Sequence, residues 1–189
     1  YGRTNAIKEE LGDKPGMGTS WANIGLVHNT RGDYDKALDY YARSLTIQEE
    51  LGDKRAMGII LSNIGIAHAN RGDSGKALEH LEKSLTIQKE IGLGANYLIW
   101  VTLYLYLTYK QLAKDYDINE IHSLIKEASN IQFGLNLGLY QLLEEESYLE
   151  NAYNQLQEKA SSMEKELAEK FLSYPIPKAI AEEWEKLNN

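Results

Sequence analysis

The feature that most constrains this chain is an internal period of forty residues. Residues 11–50 and 51–90 align without a gap, and 22 of the 40 aligned positions are identical. A fixed period of this length is typical of solenoids, in which each repeat buries its apolar face against its neighbours. Residues 1–10 match 41–50 at five positions. We therefore expect the sequence to start within an earlier repeat and to be a fragment of a larger protein.

Each repeat is predicted to be a pair of helices. In the first repeat, apolar residues follow one another at the steps of three and four that mark an apolar stripe along an α-helix. These residues are Met17, Trp21, Ile24 and Val27 in the first helix and Ala37, Leu38, Tyr41, Leu45 and Ile47 in the second. A short turn between two such helices makes them antiparallel. The sequence therefore predicts an all-α solenoid of antiparallel helix pairs.

The tripeptide Arg-Gly-Asp occurs in both repeats, at 31–33 and 71–73, between the two predicted helices. Gly32 lies where a helix end needs a left-handed residue, and Asp33 lies where the next helix needs an acceptor for its free N–H groups. The related Leu-Gly-Asp at 51–53 joins one repeat to the next. We interpret the tripeptide as a helix stop followed by a helix start. Integrin-type adhesion is disfavoured, because it needs an exposed, extended loop.

The pattern resembles the tetratricopeptide repeat, W-x2-L-G-x2-Y followed by a glycine, an aromatic residue and A-x3-F-x2-A. The matching residues are Trp21, Ile24, Gly25, His28, Gly32, Tyr34, Ala37, Tyr41 and Ser44 in the first repeat, and Leu61, Ile64, Gly65, His68, Gly72, Ser74, Ala77, Leu81 and Ser84 in the second. The period of 40 resembles the variant found in Pins-type adaptors and prokaryotic signalling proteins. The resemblance covers residues 1–90. It implies a right-handed superhelix whose concave surface binds a partner.

A divergent third repeat is predicted at 91–128, with helices at 96–112 and 117–128. The segment Leu-Tyr-Leu-Tyr-Leu at 103–107 favours a strand by local propensity. A lone strand between helix pairs would leave its backbone groups unpaired, so we predict a helix there.

A degenerate helix pair at 129–174 and a short capping helix at 175–189 complete the predicted solenoid. The first helix of the pair is expected at 131–145. The capping-box sequence Ser-Tyr-Leu-Glu at 147–150 predicts the start of a long C-terminal helix. Its apolar residues recur at alternating steps of four and three over 149–167, which is a heptad-like seam. The last helix would cover the apolar end of the array.

Charge and composition exclude several classes of function. The net charge is -8, and residues 141–189 contribute -6 of it from 11 acids and 5 lysines, so no nucleic-acid partner is expected. The most apolar run, 97–109, is shorter than the roughly 20 residues that span a bilayer, so no membrane association is expected. The chain has no cysteine and no nucleophile elbow, phosphate loop or metal motif. We therefore expect a protein without enzymatic activity or cofactor. Because the first ten residues lack the features of a signal peptide, a cytoplasmic location is the default expectation.

The resemblance places the first helix of each pair on the concave surface. The candidate partner-binding residues are Thr19, Asn23, Leu26, Asn29, Thr30, Ile59, Ser62, Asn63, Ile66 and Asn70. Asn23 and Asn63 occupy the same repeat position, and a carboxamide that both donates and accepts can hold a peptide backbone whatever its side chains are. The alternative is that these asparagines bond only to neighbouring repeats or water.

Two differences from known repeats limit the kind of ligand that is expected. Ala22 and Ser62 stand where a chaperone-type carboxylate clamp would need lysine, which disfavours that clamp. Leu26 and Ile66 stand where the Pins-type pattern has asparagine. The groove is therefore predicted to be more apolar than in that family and to favour a partner with aliphatic side chains.

His28 and His68 also share one repeat position, which raises a metal-binding alternative. No carboxylate or third ligand recurs with them in the sequence, so packing is the favoured interpretation. The leading functional hypothesis is a non-catalytic scaffold that holds a peptide segment of a partner in the concave groove. The alternatives are homo-oligomerisation, through the seam at 149–167 or the half-repeat at 1–10, and a regulatory or sensor segment of a larger signalling protein.

Overall fold

The computed structural model describes residues 12–188, which form ten helices and no strand. The helices are α1 (Lys14–Thr30), α2 (Tyr34–Leu51), α3 (Lys54–Arg71), α4 (Ser74–Glu90), α5 (Ala95–Gln111), α6 (Ile118–Glu127), α7 (Phe133–Leu143), α8 (Glu146–Ser161), α9 (Lys165–Leu172) and α10 (Pro175–Asn188). Consecutive helices from α1 to α6 pack against one another in order. The predicted all-α solenoid of helix pairs is confirmed. The predicted half-repeat at 1–10 lies outside the described residues.

The two regular pairs, α1–α2 and α3–α4, are held together by the same close contacts. A Cβ atom on Gly25 would lie 2.7 Å from the ring of Tyr41, and one on Gly65 would lie 2.5 Å from Cγ of Leu81. Helices can approach this closely only where a side chain is missing. Each pair also has a buried serine in its second helix that donates a 2.7 Å hydrogen bond to a glycine carbonyl of its first helix.

The turns around these helices follow the predicted stop-and-start pattern with one exception. Gly32, Gly52 and Gly72 all have positive φ angles, between 67° and 87°. The carboxylate of Asp53 accepts a hydrogen bond from the Ala56 N–H at 2.9 Å, as the cap prediction requires. Asp33 makes no such bond. Its Oδ2 lies 3.2 Å from Nδ1 of His28 instead, so the side-chain cap predicted there is wrong.

Helix α5 is the centre of the largest core cluster. Residues of α5 on several faces are buried, including Ile99, Val101, Leu103 and Leu105. A helix that is apolar all round is stable only when neighbours cover it, and α3, α4, α6 and α7 all pack on α5. Tertiary burial therefore overrides the strand propensity of this segment, and the predicted helix is confirmed.

The predicted long C-terminal helix is wrong in one respect, because it is divided into α8 and α9. Helix α8 ends at Ser161, where Ser161 and Ser162 donate their hydroxyls to carbonyls of the last turn. Helix α9 then starts at Lys165 and carries Phe171, which is buried in the core edge-on to Phe133. The capping box is also wrong, since α8 begins at Glu146 without a side-chain cap.

Helix α10 packs on α8 and closes the C-terminal core. Ile180 is fully buried, and the ring of Trp184 stacks on that of Tyr153 with centroids 4.8 Å apart. Leu187, which the sequence places on the same face, is exposed. Pro175 is the first residue of α10, a position that tolerates proline because its missing N–H has no helical partner there.

Candidate functional site

A large cavity lies among the first helices of the pairs and the C-terminal helices. We call it the central cavity; its volume is about 500 Å³. Eight of the ten predicted partner-binding residues line it: Leu26, Asn29, Thr30, Ile59, Ser62, Asn63, Ile66 and Asn70. They come from α1 and α3, which the repeat places side by side. The cavity is within the range of ordinary ligand sites.

The other two predicted residues lie outside this lining. The Thr19 hydroxyl donates to the Pro15 carbonyl at 3.1 Å. Asn23 is exposed on α1. Asn23 and Asn63 therefore occupy the same position in two repeats but differ in their surroundings, since only Asn63 lines the central cavity. A contact of Thr19 or Asn23 with a partner stays a prediction.

Exposed apolar side chains supply part of the cavity wall. Leu26 is 50% exposed and Tyr97 is 41% exposed. Burial of these apolar side chains by a bound ligand would be favourable. Trp100 and Tyr104 of α5 extend the aromatic surface. Burial raises the pKa of Tyr104 to about 12, and the neighbouring side chain of Asn70 opposes part of this shift. At neutral pH this wall is therefore uncharged.

Another part of the wall comes from the C-terminal helices, which the repeat pattern does not place in the site. Phe133, Phe171, Ile176 and Pro177 line the cavity. A Cβ atom on Gly32 would lie 3.0 Å from Cγ of Pro175, so the start of α10 touches the turn of the first regular pair. The chain thus bounds its own concave face. The period of forty residues could not reveal this contact, because residues 171–177 have no counterpart in the repeats.

A smaller polar cavity adjoins the central one. We call it the polar annex; its volume is about 210 Å³, and it is lined by Asn130, Gln132, Phe133, Gln155 and Lys159. Gln132, Phe133 and Lys159 also line the central cavity, so the two spaces are contiguous. The Gln155 amide is fixed by a 2.9 Å hydrogen bond that it donates to the Ile131 carbonyl.

The two repeat-related histidines lie in packed surroundings, each beside the aspartate of its Arg-Gly-Asp tripeptide. Nδ1 of His28 lies 3.2 Å from Oδ2 of Asp33, and Nδ1 of His68 lies 3.7 Å from Oδ2 of Asp73. The expectation that no carboxylate recurs with these histidines is therefore wrong. The ring of His28 stacks on Tyr40 with centroids 5.4 Å apart, and that of His68 stacks on His80 at 5.6 Å. Burial is the largest cause that lowers the pKa of His68. Between residues 12 and 188, no group of three or more His, Cys, Asp or Glu side chains is arranged to hold a metal ion.

The heptad-like seam is covered within the chain over α8 but not over α9, where Leu167 is 56% exposed. Leu149 and Leu156 are fully buried and pack in one cluster with Phe171 and Ile180. The seam therefore has no free apolar surface at these positions, and the prediction that it forms a dimer interface is not supported by their burial. None of the helices in the described part of the chain is both long and apolar enough to cross a membrane.

Comparison with known proteins identifies the regular part of the chain. A family model described as tetratricopeptide repeat matches residues 16–90. No curated protein matches the chain. Tetratricopeptide repeats are generally protein-interaction modules and are typically not enzymes. The matched segment comprises most of α1 and all of α2, α3 and α4, whose helix pairs and glycine contacts follow the repeat pattern. Residues 16–90 of this chain therefore match the tetratricopeptide repeat, and their helix pairs are consistent with that family.

Proposed function

We propose that this chain is a non-catalytic scaffold that holds a peptide segment of a partner protein in the central cavity. The observation that carries the proposal is the composition of the cavity wall. Exposed apolar side chains, such as Leu26 and Tyr97, stand beside the carboxamides of Asn29 and Asn63. Apolar side chains of a peptide would gain by burial there, while the carboxamides can exchange hydrogen bonds with its backbone.

The helices that carry the lining residues also support the proposal. The lining side chains come from helices of separate pairs, α1, α3 and α5, so the cavity extends across several repeats. Solenoids use such continuous surfaces for binding, because each repeat adds to the same face. The peptide is expected to have aliphatic side chains, since Leu26 and Ile66 replace asparagines of the Pins-type pattern.

A peptide-array screen followed by affinity measurement tests the proposal. Leu26→Gln should weaken capture of the selected peptides about tenfold, because an exposed apolar contact is lost. Asn63→Ala should weaken it about fivefold through loss of a hydrogen bond. Fluorescence anisotropy with labelled peptides measures both effects.

Matched variants outside the cavity serve as controls. Leu51→Gln changes another exposed leucine, and Asn151→Ala changes an asparagine that is exposed where Asn63 is half-buried; neither residue lines the central cavity. Both controls should bind as the wild type does. If the cavity variants keep full affinity while they remain folded, as judged by circular dichroism, the central cavity is not the binding site.

A further inference from the structure

The central cavity and the polar annex differ sharply in character and meet at three residues. The central cavity is walled largely by apolar and aromatic side chains, among them Leu26, Tyr97 and Trp100. Apart from Phe133, the annex is lined by amides and by one lysine. A ligand that enters both spaces therefore needs an apolar part and a polar part next to each other.

Lys159 is the charged residue at the junction. Its Nζ lies 5.3 Å from the ring centroid of Phe133 and 5.6 Å from that of Phe171. Both rings line the central cavity. Attraction to two aromatic faces holds the ammonium at the mouth of the annex, while its N–H donors can still reach an acceptor.

The charge of Lys159 is not neutralised by the described part of the chain. The ion pairs formed between residues 12 and 188 do not include Lys159. No aspartate or glutamate lines either cavity, although the chain has 28 acidic residues and a net charge of -8. The local charge of the site is thus opposite to that of the whole protein.

We infer that the site recognises a peptide segment in which an acidic side chain adjoins aliphatic or aromatic residues, with the carboxylate in the polar annex at Lys159. This inference rests on the proposed function and specifies its ligand. The apolar residues of the segment bury themselves against the central cavity, and the carboxylate accepts hydrogen bonds from the Lys159 ammonium. A basic residue at the same place in the segment is repelled by Lys159.

The partner is therefore selected by two features together. The apolar contact supplies affinity, and the lysine discriminates among apolar segments by the charge beside them. The position of this lysine differs from those of a carboxylate clamp on the first helices of the repeats, because Lys159 belongs to α8, beyond the regular pairs.

The test uses a library of N-acetylated, C-amidated octapeptides with Leu, Ile, Val or Phe at the central positions, flanked by Glu, Gln or Lys. The full chain is expected to bind Glu-flanked members about fivefold more tightly than their Gln-flanked counterparts, the effect of one solvent-accessible ion pair. Lys159→Met should abolish this difference while Gln-flanked peptides still bind. Lys159→Glu should reverse the order and favour Lys-flanked members.

Lys36→Met is the control, because Lys36 is exposed on α2, lines neither cavity and forms no ion pair within residues 12–188. It should keep the preference for Glu. Equal binding of Glu- and Lys-flanked peptides to the wild type, or an unchanged preference in folded Lys159→Met, overturns the inference but leaves the proposed function intact. If the wild type binds no member of the library, both proposals fail.

Discussion

The regular pairs α1–α4 and the later helices α5–α10 are packed in different ways. In the regular pairs, helices of 17 or 18 residues approach closely at Gly25 and Gly65. In the C-terminal part, helix lengths vary from 8 to 17 residues, and the core contains clustered aromatic side chains such as Phe133 and Phe171. Repetition places α1 and α3 side by side on the concave face, which α5 extends, and residues of α7, α9 and α10 supply the wall that bounds it.

The largest expected effect is the loss of stability when a buried leucine is truncated in either of two core clusters. Leu81 and Leu156 are both fully buried, the first in the cluster around α5 and the second in the cluster of α7–α10. Substitution of either by alanine should lower the free energy of unfolding by about 2–5 kcal/mol, because a cavity replaces a packed side chain. Urea denaturation followed by circular dichroism measures this loss.

Hydrogen exchange then shows which helices lose protection in each variant. Because units of a solenoid contact only their neighbours, Leu156→Ala should reduce protection mainly in 133–188 and leave α1–α3 protected. Leu81→Ala should reduce protection in α3–α6. A uniform loss along the whole described part of the chain in both variants would show that the two cores unfold as one cooperative unit.

The second prediction concerns close packing in the regular part. Gly65→Ala should destabilise the protein by about 1–3 kcal/mol, because the new methyl group would lie 2.5 Å from Cγ of the fully buried Leu81. Gly75 is the matched control, since it lies in α4 with no atom within 4 Å of an added Cβ. Gly75→Ala should stabilise by about 0.5–1 kcal/mol through helix propensity. Equal effects of the two substitutions on the thermal midpoint would contradict the close-approach explanation.

The third prediction compares how helices end in the two parts. Gly52 has φ 67° after α2, whereas Ala113 has φ 51° after α5. An added Cβ on Gly52 meets no atom, so Gly52→Ala should cost about 1 kcal/mol from backbone strain alone. Ala113→Gly should instead stabilise by about 0.5 kcal/mol, because relief of strain exceeds the entropy cost of glycine. Chemical denaturation of both variants measures the change in the free energy of unfolding, which should be opposite in sign for the two. Changes of the same sign would contradict the prediction.

The smallest expected effect is a pH dependence in the second regular pair. Burial is the largest cause that lowers the pKa of both His68 and His80, and Asp73 opposes the shift of His68 while Arg71 and Lys76 add to it. The unfolded chain therefore binds more protons than the folded chain below about pH 6.5, the ordinary histidine value. Stability should be fully present above that pH and should fall as the pH decreases below it.

Urea unfolding at pH 7.5 and pH 5.5 measures this dependence. His68→Phe keeps an aromatic ring at this position, so its loss of stability on acidification should be smaller than that of the wild type. If both proteins lose the same amount, His68 does not contribute to the pH dependence.

The regular pairs could be predicted from the sequence because each signal there is local or repeated. The forty-residue period fixes the helix pairs, and Gly32, Gly52 and Gly72 mark their ends. The helix at 103–107 could also be predicted, since an unpaired strand is unfavourable in such surroundings. The equivalent Asp73 accepts a hydrogen bond from the Lys76 N–H, whereas the Asp33 carboxylate lies against the His28 ring without capping its helix. This difference between two matching positions is visible only in three dimensions.

The C-terminal wall of the site was beyond prediction for a different physical reason. The break between α8 and α9 has no proline or glycine to mark it, and it follows from the packing that brings Phe171 to Phe133. The contact of Pro175 with Gly32 joins residues far apart in the sequence, and no periodic pattern relates them. Eight concave residues were found from the repeats, but Phe171, Ile176, Pro177 and Lys159 required the tertiary structure.

We propose that the concave side chains and the C-terminal wall together form the surface that holds a partner's peptide. Backbone chemical-shift mapping by NMR, on titration of the protein with a peptide selected from the array, tests this proposal. We expect the largest shifts to cluster at α1, α3 and α5 around Leu26, Asn63 and Tyr97, and at the start of α10. Shifts confined to the outer surfaces of α2 and α4 would contradict it.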